Sequence, residues 1–317
     1  MLLLTHRHDF YTIDKVADAV QARGGEALRI DTDRFPLDAV IELGFEAGQH
    51  HARLQYGGRW IDAASVRGVW LRHFSPPVLG DGVAAAFRPT CEQESRLVME
   101  GFLAALDGAR WLNTLPAVVR AEAKLLQLRV AQQSGLRIPA TLVTNGAGSV
   151  PAFFERQSTG MVMKLQTALS HSMDGSGQSF YTTPMQRQDL ADLSGLTVCP
   201  PMFQEQVPKR RELRVVYVAG RCFAASLNGD HTGNDWRAQS VTDLRWQVDA
   251  LPAAVEARFG AFMQALHLDF GAADFICTPD GEFVFLEINP CGEWGMLERD
   301  LGLPIADAIA AALLGQN

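Results

Sequence analysis

The chain opens on an apolar run, Met1 to Thr5, continues with Ile13, Val16, Ala17 and Val20 at helical spacing, and returns to an extended run at Ala27-Leu28-Arg29-Ile30-Asp31. A short buried run, an amphipathic stretch and a second run predict a β-α-β unit. Val66 to Phe74, VRGVWLRHF, supplies a later strand ending at Pro76-Pro77, so this first part reads as an α/β layer structure. A long helical segment from Ala84 to Leu106 carries Glu92, Glu94, Arg96 and Glu100 among apolar residues, and Trp111-Leu112-Asn113 then leads into Pro116. A domain boundary is expected there, closing an N-terminal domain over residues 1–112.

From Ala121 the pattern AEAKLLQLRVAQQSGL predicts a helix ended at Gly135, followed by a strand, IPATLVTN, started after Pro139. MVMKLQTAL reads as an apolar strand interrupted by Lys164, and SHSMDGSGQSFYTT, rich in Gly and Ser, as a loop or hairpin tip able to close over a ligand. PPMFQEQVPKRRELRVVYVAGRCFAASL gives a strand, an interruption at Pro208 and a hairpin turning near Ala219-Gly220. In ELRVVYV, strand alternation sets Glu212 and Arg214 on one face and Leu213, Val215 and Tyr217 on the other. Leu303 to Leu314 is a closing helix with Pro304 early, where proline is tolerated. These signals divide the remainder into a central unit, 113–203, and a C-terminal unit, 204–317.

The most informative segment is DFICTPDGEFVFLEIN, residues 274–289. Asp-Gly between alternating apolar positions predicts a two-residue type I′ hairpin turn at Asp280-Gly281. Pairing outward from that turn sets Ile276 opposite Phe285 and Asp274 opposite Glu287, with Asn289 two residues on and facing the same way. Opposed carboxylates with Cβ atoms roughly 4.5–5.5 Å apart repel, and in a hairpin this apolar the repulsion needs an answer. Three answers are open: a divalent cation, an arginine partner, or a proton shared between the two. Two carboxylates and an amide oxygen form the hard donor set that suits Mg²⁺, whose remaining ligands come from water and phosphates.

Composition narrows the classes. The 317 residues are 47% hydrophobic and 20% charged, which is globular and leaves room for several layers. A net charge of −8 argues against nonspecific nucleic-acid binding. The five cysteines make neither a CxxC pair nor zinc spacing, and an odd number fits a disulfide framework poorly, so a reducing cytoplasm is expected. The apolar start is too short for a signal peptide, and no later stretch spans a bilayer, so no membrane role is expected. Phosphate loops of the GxxxxGK[ST] and GxGxxG types and a GxSxG elbow are missing. His6 with His8, and His50 with His51, lack a matching set of further metal ligands.

Other positions invite an anion or a nucleotide, each with a plainer alternative. Lys124 reads as a surface helix lysine or an anion ligand, and Lys164 as a snorkelling strand-end lysine or one inside a site. Gln204-Glu205-Gln206-Val207 precedes Pro208, whose missing N–H breaks strand pairing and leaves backbone groups there for an adenine edge. Arg237, in Asp235-Trp236-Arg237, and Arg214 are suited to bidentate phosphate or carboxylate contacts, or to surface ion pairs.

The order of these features, lysine, strand lysine, glycine-rich loop, QEQV, ELR, then DFI, DG and FLEIN, resembles the ATP-grasp ligases across about residues 110 to 317. WLRHFSPP, KLLQLRVAQQSGLRIPATLVTN, KRRELRVVYVAGRCFAA, DWR and LEINPCGEWGMLERDLGLPIADAI look more narrowly like the microviridin-type maturases, the graspetide ligases that join side chains within a ribosomal precursor peptide. The resemblance implies an α/β and α+β chain, with a pre-ATP-grasp domain ahead of two ATP-grasp lobes. It also implies ATP and Mg²⁺ as cofactors, and a leader-plus-core peptide as partner; a homodimer is compatible with it.

By matching motif, the resemblance assigns Asp274, Glu287 and Asn289 to Mg²⁺, and Lys124 and Lys164 to the phosphates and adenine side of ATP. Gln204, Glu205 and Val207 would lie along the adenine, Glu212 at the ribose, and Arg214 and Arg237 at the reacting phosphate. The loop over residues 171–183 would be a lid, and Met185 to Leu193, with Arg187, Asp189 and Asp192, would hold the leader. One departure stands out: such enzymes continue with NPNGQW where this chain has Asn289-Pro290-Cys291-Gly292-Glu293-Trp294. An amino-acid ligase of glutathione-synthetase or RimK type, and a nucleotide-responsive peptide binder without activity, are the rival readings.

Overall fold

The parallel β-α-β opening is present in the computed structural model, which describes residues 1–166, 182–228 and 245–316. Arg237 and all but the last two residues of the expected lid lie outside these. β1 (Leu2–Thr5), α1 (Thr12–Ala22) and β2 (Leu28–Asp31) form the unit, with β1 and β2 parallel. An antiparallel meander then intervenes, β3 (Ala39–Glu46), β4 (Gln49–Tyr56) and β5 (Arg59–Asp62), for which the sequence pattern gave no expectation. β6 (Gly68–Leu71), α2 (Arg88–Ala104) and β7 (Arg110–Leu112) complete a four-stranded parallel sheet of order β2-β1-β6-β7.

The expected single helix after the boundary is two: α3 (Leu115–Ala121) and α4 (Lys124–Gln133), so Lys124 begins a helix instead of lying within one. Then follow β8 (Thr141–Val143), α5 (Val150–Glu155), β9 (Met161–Lys164), β10 (Thr183–Met185) and β11 (Met202–Glu205), whose sheet runs β10-β9-β11-β8. β11 spans the expected 203/204 boundary, because Gln204 and Glu205 pair with Val162 and Met161 of β9. The last sheet contains β12 (Arg211–Val218), β13 (Arg221–Asn228), β14 (Gln247–Asp249), β15 (Phe270–Cys277) and β16 (Phe283–Asn289), in the order β14-β13-β12-β15-β16. Its helices are α6 (Ala253–Ala265), α7 (Gly295–Leu301) and α8 (Ile305–Leu314).

Alternation along the last sheet decides where its two faces go. Leu213, Val215, Tyr217, Phe275 and Phe285 pack with α6 residues Phe259, Phe262 and Met263, and with Ala121 and Val130, so α3 and α4 sit under this sheet and not the central one. The opposite face is divided. Val216, Val218, Phe270 and Ala272 join Leu3 and Trp70 of the N-terminal sheet, with α1 and α8, in one core. Trp70 and Phe270 meet edge to face, with ring centroids 5.9 Å apart. Beyond that core the same face turns polar, at Arg214 and Asp274.

Asn113 fastens the junction. It is buried with φ +61, a conformation Asn tolerates better than most residues. Its amide donates to the carbonyls of Phe270 and Pro290 at 2.8 and 3.0 Å and accepts the N–H groups of Asp269 and Phe270 at 2.9 and 3.1 Å. Asn113→Ala removes four bonds to buried backbone and should cost on the order of 3 kcal/mol or more, read from the urea midpoint. Asn113→Gly keeps the backbone conformation, so a loss as large in that variant assigns the cost to the amide; a loss below about 0.5 kcal/mol in both, the range of ordinary surface changes, contradicts the role.

His73, just past β6, packs against His6 with ring centroids 4.9 Å apart and ring planes tilted by 38°. Burial, then the neighbouring Arg72 charge, lowers its pKa to about 3 from an ordinary 6.5. The folded state therefore refuses a proton the unfolded chain accepts, and stability present in full above pH 6.5 drains as pH falls toward 3. The urea midpoint of the wild type should drop between pH 6.5 and 4, and that of His73→Gln should drop less; equal slopes would contradict this.

Candidate active site

Three strands place the central charges in one row. Arg214 on β12 is opposite Asp274 on β15, which is opposite Glu287 on β16. Arg214 Nη1 donates to Asp274 Oδ1 at 2.9 Å, with both side chains buried. Past the sheet edge, Lys124 Nζ stands 3.1 Å from Glu287 Oε2. The row thus reads cation, anion, anion, cation. Of the three answers left open for the opposed carboxylates, the arginine is realised for Asp274, while Glu287 has a lysine, which was not among them.

The turn that builds this row differs from expectation. Thr278 N–H bonds to the Glu282 carbonyl at 2.9 Å, leaving Pro279-Asp280-Gly281 as a three-residue loop in which Gly281 alone has positive φ. The sequence's two-residue turn with positive φ at both central positions is instead at Ala219-Gly220, between paired Val218 and Arg221. A three-residue loop shifts the pairing, so Phe275 faces Phe285 and Ile276 faces Val284. A bulge between Asp274 and Phe275, with Leu286 as the extra residue, then restores the Asp274–Glu287 pair. Turn and bulge cancel: Phe285 reaches the aromatic core while Glu287 returns to the polar face.

Arg72 is the buried residue that sequence reasoning passed over, although it stands in the apolar run VWLRHF, where a cation needs partners. Its guanidinium donates to the Cys291 carbonyl and, at 2.5 Å, to Glu293 Oε2, and lies 3.8 Å from Asp9. The Glu293 carbonyl in turn accepts Arg214 at 3.0 and 3.3 Å, and its Oε1 accepts the N–H groups of Trp294 and Gly295. Glu293, a position at which the chain departs from the NPNGQW pattern of the family it resembles, therefore links the two buried arginines. Gly292 makes this approach feasible: a Cβ there would meet Ala272 Cβ at 2.5 Å and Arg214 Nη2 at 3.1 Å. At Cys291, burial pushes the thiol up to about 12, so it stays protonated. Asn289 Oδ1 accepts the Cys291 N–H at 2.9 Å, which sets the amide's direction.

Beside the charged row, Val207, Ile276, Val284 and Leu286 form an apolar patch. Glu212, on the face shared with Arg214, is held by Lys209 Nζ at 2.7 Å. Glu205 Oε2 accepts the Ala140 N–H at 3.2 Å and Glu205 Oε1 lies 3.7 Å from Arg137, while buried Gln204 donates to Thr141 Oγ1 at 2.9 Å. Lys164 ends β9 opposite Met202. Arg214, Asp274, Glu287, Asn289 and Lys124 are thus gathered on and around one sheet face, with Val207 and Glu212 next to them. Arg187, Asp189 and Asp192 are exposed in and beside a 3₁₀ turn, Arg187–Ala191, of the central unit. Each has a local contact: Arg187 with Glu155 at 2.7 Å, Asp189 with the Gln186 N–H at 2.7 Å, and Asp192 with the Ser194 N–H at 3.0 Å.

Two carboxylates and an amide oxygen fit a hard divalent cation. Among the described residues no group of three or more His, Cys, Asp or Glu side chains forms a cage of its own. The donor set here suits an ion that draws further ligands from water and phosphate, as Mg²⁺ does. Held by Arg214 and Lys124, the carboxylates are pre-aimed and would exchange cation partners on binding.

Residues 1–119 match the family model of the MvdD pre-ATP grasp domain. No curated protein sequence matches the chain. Among solved structures, macrocyclase MdnC bound with precursor peptide MdnA, from Microcystis aeruginosa MRC, is 34% identical, with 99% of each chain covered and a TM-score of 0.87. Macrocyclase MdnB of the same organism is 43% identical, covering 99% of this chain and 98% of its own, with a TM-score of 0.84. A Chryseobacterium gregarium RiPP-associated ATP-grasp ligase, in complex with ADP and a leader and core peptide, is 28% identical over 100% and 96%, at a TM-score of 0.92. The expected fold, an ATP-grasp ligase behind a pre-ATP-grasp domain, is the one these neighbours share. With such identity along nearly its whole length, the chain belongs to the ADP-forming ATP-grasp ligases and, within them, to the graspetide-type maturases of ribosomal peptides.

Proposed function

We propose that the protein crosslinks side chains within a ribosomal precursor peptide, using ATP to activate an Asp or Glu carboxyl. A carboxylate oxygen attacks the γ-phosphorus, the bond to the β-phosphate oxygen breaks, and ADP leaves an acyl phosphate. A Ser or Thr hydroxyl, or a Lys amine, then attacks the acyl carbon, loses its proton and expels phosphate, giving an ester or amide. The observation that carries this reading is the cation-anion-anion-cation row on one sheet face of an ATP-grasp ligase. The precursor and leader peptides bound to its relatives support a peptide over a free amino acid.

Each residue has a task of holding or orienting, as phosphoryl transfer requires. Arg214, fixed by the Glu293 carbonyl, presents its guanidinium to the charge that develops on the transferring phosphate, and Arg237 is assigned to the same phosphate. Lys124 and Lys164 take phosphate charge, while Val207 with its apolar neighbours receives the adenine, bordered by Gln204 and Glu205, and Glu212 the ribose. Asp274, Glu287 and Asn289 would hold Mg²⁺, which would supply neutralisation of phosphate charge. The 171–183 segment is assigned the exclusion of water from the acyl phosphate. A microviridin-type product, a cytoplasmic setting and a homodimer complete the proposal.

With ATP, Mg²⁺ and a cognate precursor, the wild type should remove one water per crosslink by mass, with ADP release stimulated by the peptide and not by free amino acids. Glu287→Gln should abolish the mass loss; near-normal turnover would remove the metal assignment.

The leader is assigned to the exposed 3₁₀ segment with Arg187, Asp189 and Asp192. Changing Asp189 and Asp192 together to Asn should weaken peptide binding while ATP binding is preserved, measured by calorimetry. Unchanged peptide affinity would discard this surface.

A further inference from the structure

Helix α4 presents a second side chain to the acidic strand, three residues beyond Lys124. Gln127 is almost fully buried. Its Nε2 donates to the carbonyl of Ile288 at 2.9 Å and to that of Ala121 at 2.5 Å, and its Oε1 accepts the Ile288 N–H at 3.0 Å. One amide thus satisfies both backbone groups of a single residue 161 positions away.

The choice of residue matters. β16 is the outer strand of its sheet. In an antiparallel pair, alternate residues turn both N–H and C=O away from the partner strand, and on a buried edge those groups need another partner. Ile288 is such a residue and stands between Glu287 and Asn289, whose side chains point to the opposite face from its own. Gln127 supplies at this one position what a further strand would supply. Fixing both peptide groups of Ile288 fixes the Cα positions on either side, next to a bulge that would otherwise loosen the strand. Lys124, from the same helix, holds the Glu287 carboxylate itself.

We infer that Gln127 is a positioning residue for divalent-cation binding, acting through the Ile288 backbone to set the distance between Glu287 and Asn289. The inference rests on the assignment of Asp274, Glu287 and Asn289 to the metal. Outer groups that orient metal ligands commonly carry about ten- to hundredfold in metal affinity without touching the ion.

The test is Mn²⁺ binding to the full chain in the presence of ADP, followed by electron paramagnetic resonance. Gln127→Met keeps the length and loses all three hydrogen bonds, whereas Val130→Ala, on the same helix and in the same core, loses packing and keeps the clamp. Both should melt earlier than the wild type. Only Gln127→Met should weaken Mn²⁺ binding, by about tenfold or more, with metal-free ADP affinity within about twofold of wild type. Equal Mn²⁺ affinity in the two variants would overturn the inference while leaving the metal assignment standing. A wild type without an ADP-dependent Mn²⁺ site would remove the metal assignment and this inference together. Should Gln127→Met fail to fold, Gln127→Glu, which keeps the acceptor for the Ile288 N–H and loses both donations, is read by the same criterion.

Discussion

Two carboxylates facing each other on one sheet face, Asp274 buried and Glu287 partly so, must be answered by positive charge. At the roughly 5 Å typical of Cβ atoms directly opposed across two strands and an effective dielectric of about 20, two like unit charges repel by about 3 kcal/mol. The fold answers from both sides, with Arg214 within the sheet and Lys124 from the first residue of α4. Much of the surrounding architecture serves that arrangement. The bulge brings Glu287 to the right face, Gln127 holds its strand, and Gly292 leaves space for the guanidinium.

The same charges connect the N-terminal sheet to the site. Arg72 at the end of β6 and Arg214 in β12 both hold Glu293, one through its carboxylate and the other through its carbonyl. A neutral Gln at that position could keep the carbonyl contact but would leave buried Arg72 with less compensation. Glu293 and Arg72 are therefore best understood as a matched pair in this chain. Asn113 makes a second connection through backbone alone, and the core shared by Trp70, α1, α8 and Phe270 makes a third. The N-terminal domain and the last sheet are thus one packed body at the site's border, and the orientation of the Asn289 to Trp294 loop depends on both.

How much of this was legible in the sequence depends on the range of the interaction. Strand alternation set Glu212 and Arg214 apart from Leu213, Val215 and Tyr217, as the two cores show. The facing of Asp274 and Glu287 was legible too, though by a wrong route. The Asp-Gly signal gave the hairpin, yet its turn has three residues, and a compensating bulge, invisible to a period-two pattern, returned the pair. Lys124 looked like a surface helix lysine because nothing local marks a helix start beside a distant strand. Gln127 and Asn113 carry no local signal for these roles, since Ile288 lies 161 residues from the first and every partner of the second lies 156 or more away. Arg72 could have been found, because an arginine among Val, Trp and Leu in a buried strand requires partners from elsewhere.

The acidic row is the centre of this account, and its direct test is anomalous diffraction from crystals of the enzyme grown with ADP and Mn²⁺. A peak within coordination distance of Asp274, Glu287 and Asn289, bridging to the nucleotide phosphates, is the predicted result. Nucleotide bound elsewhere, or bound here with no metal peak and with both carboxylates still held by Arg214 and Lys124, would contradict it.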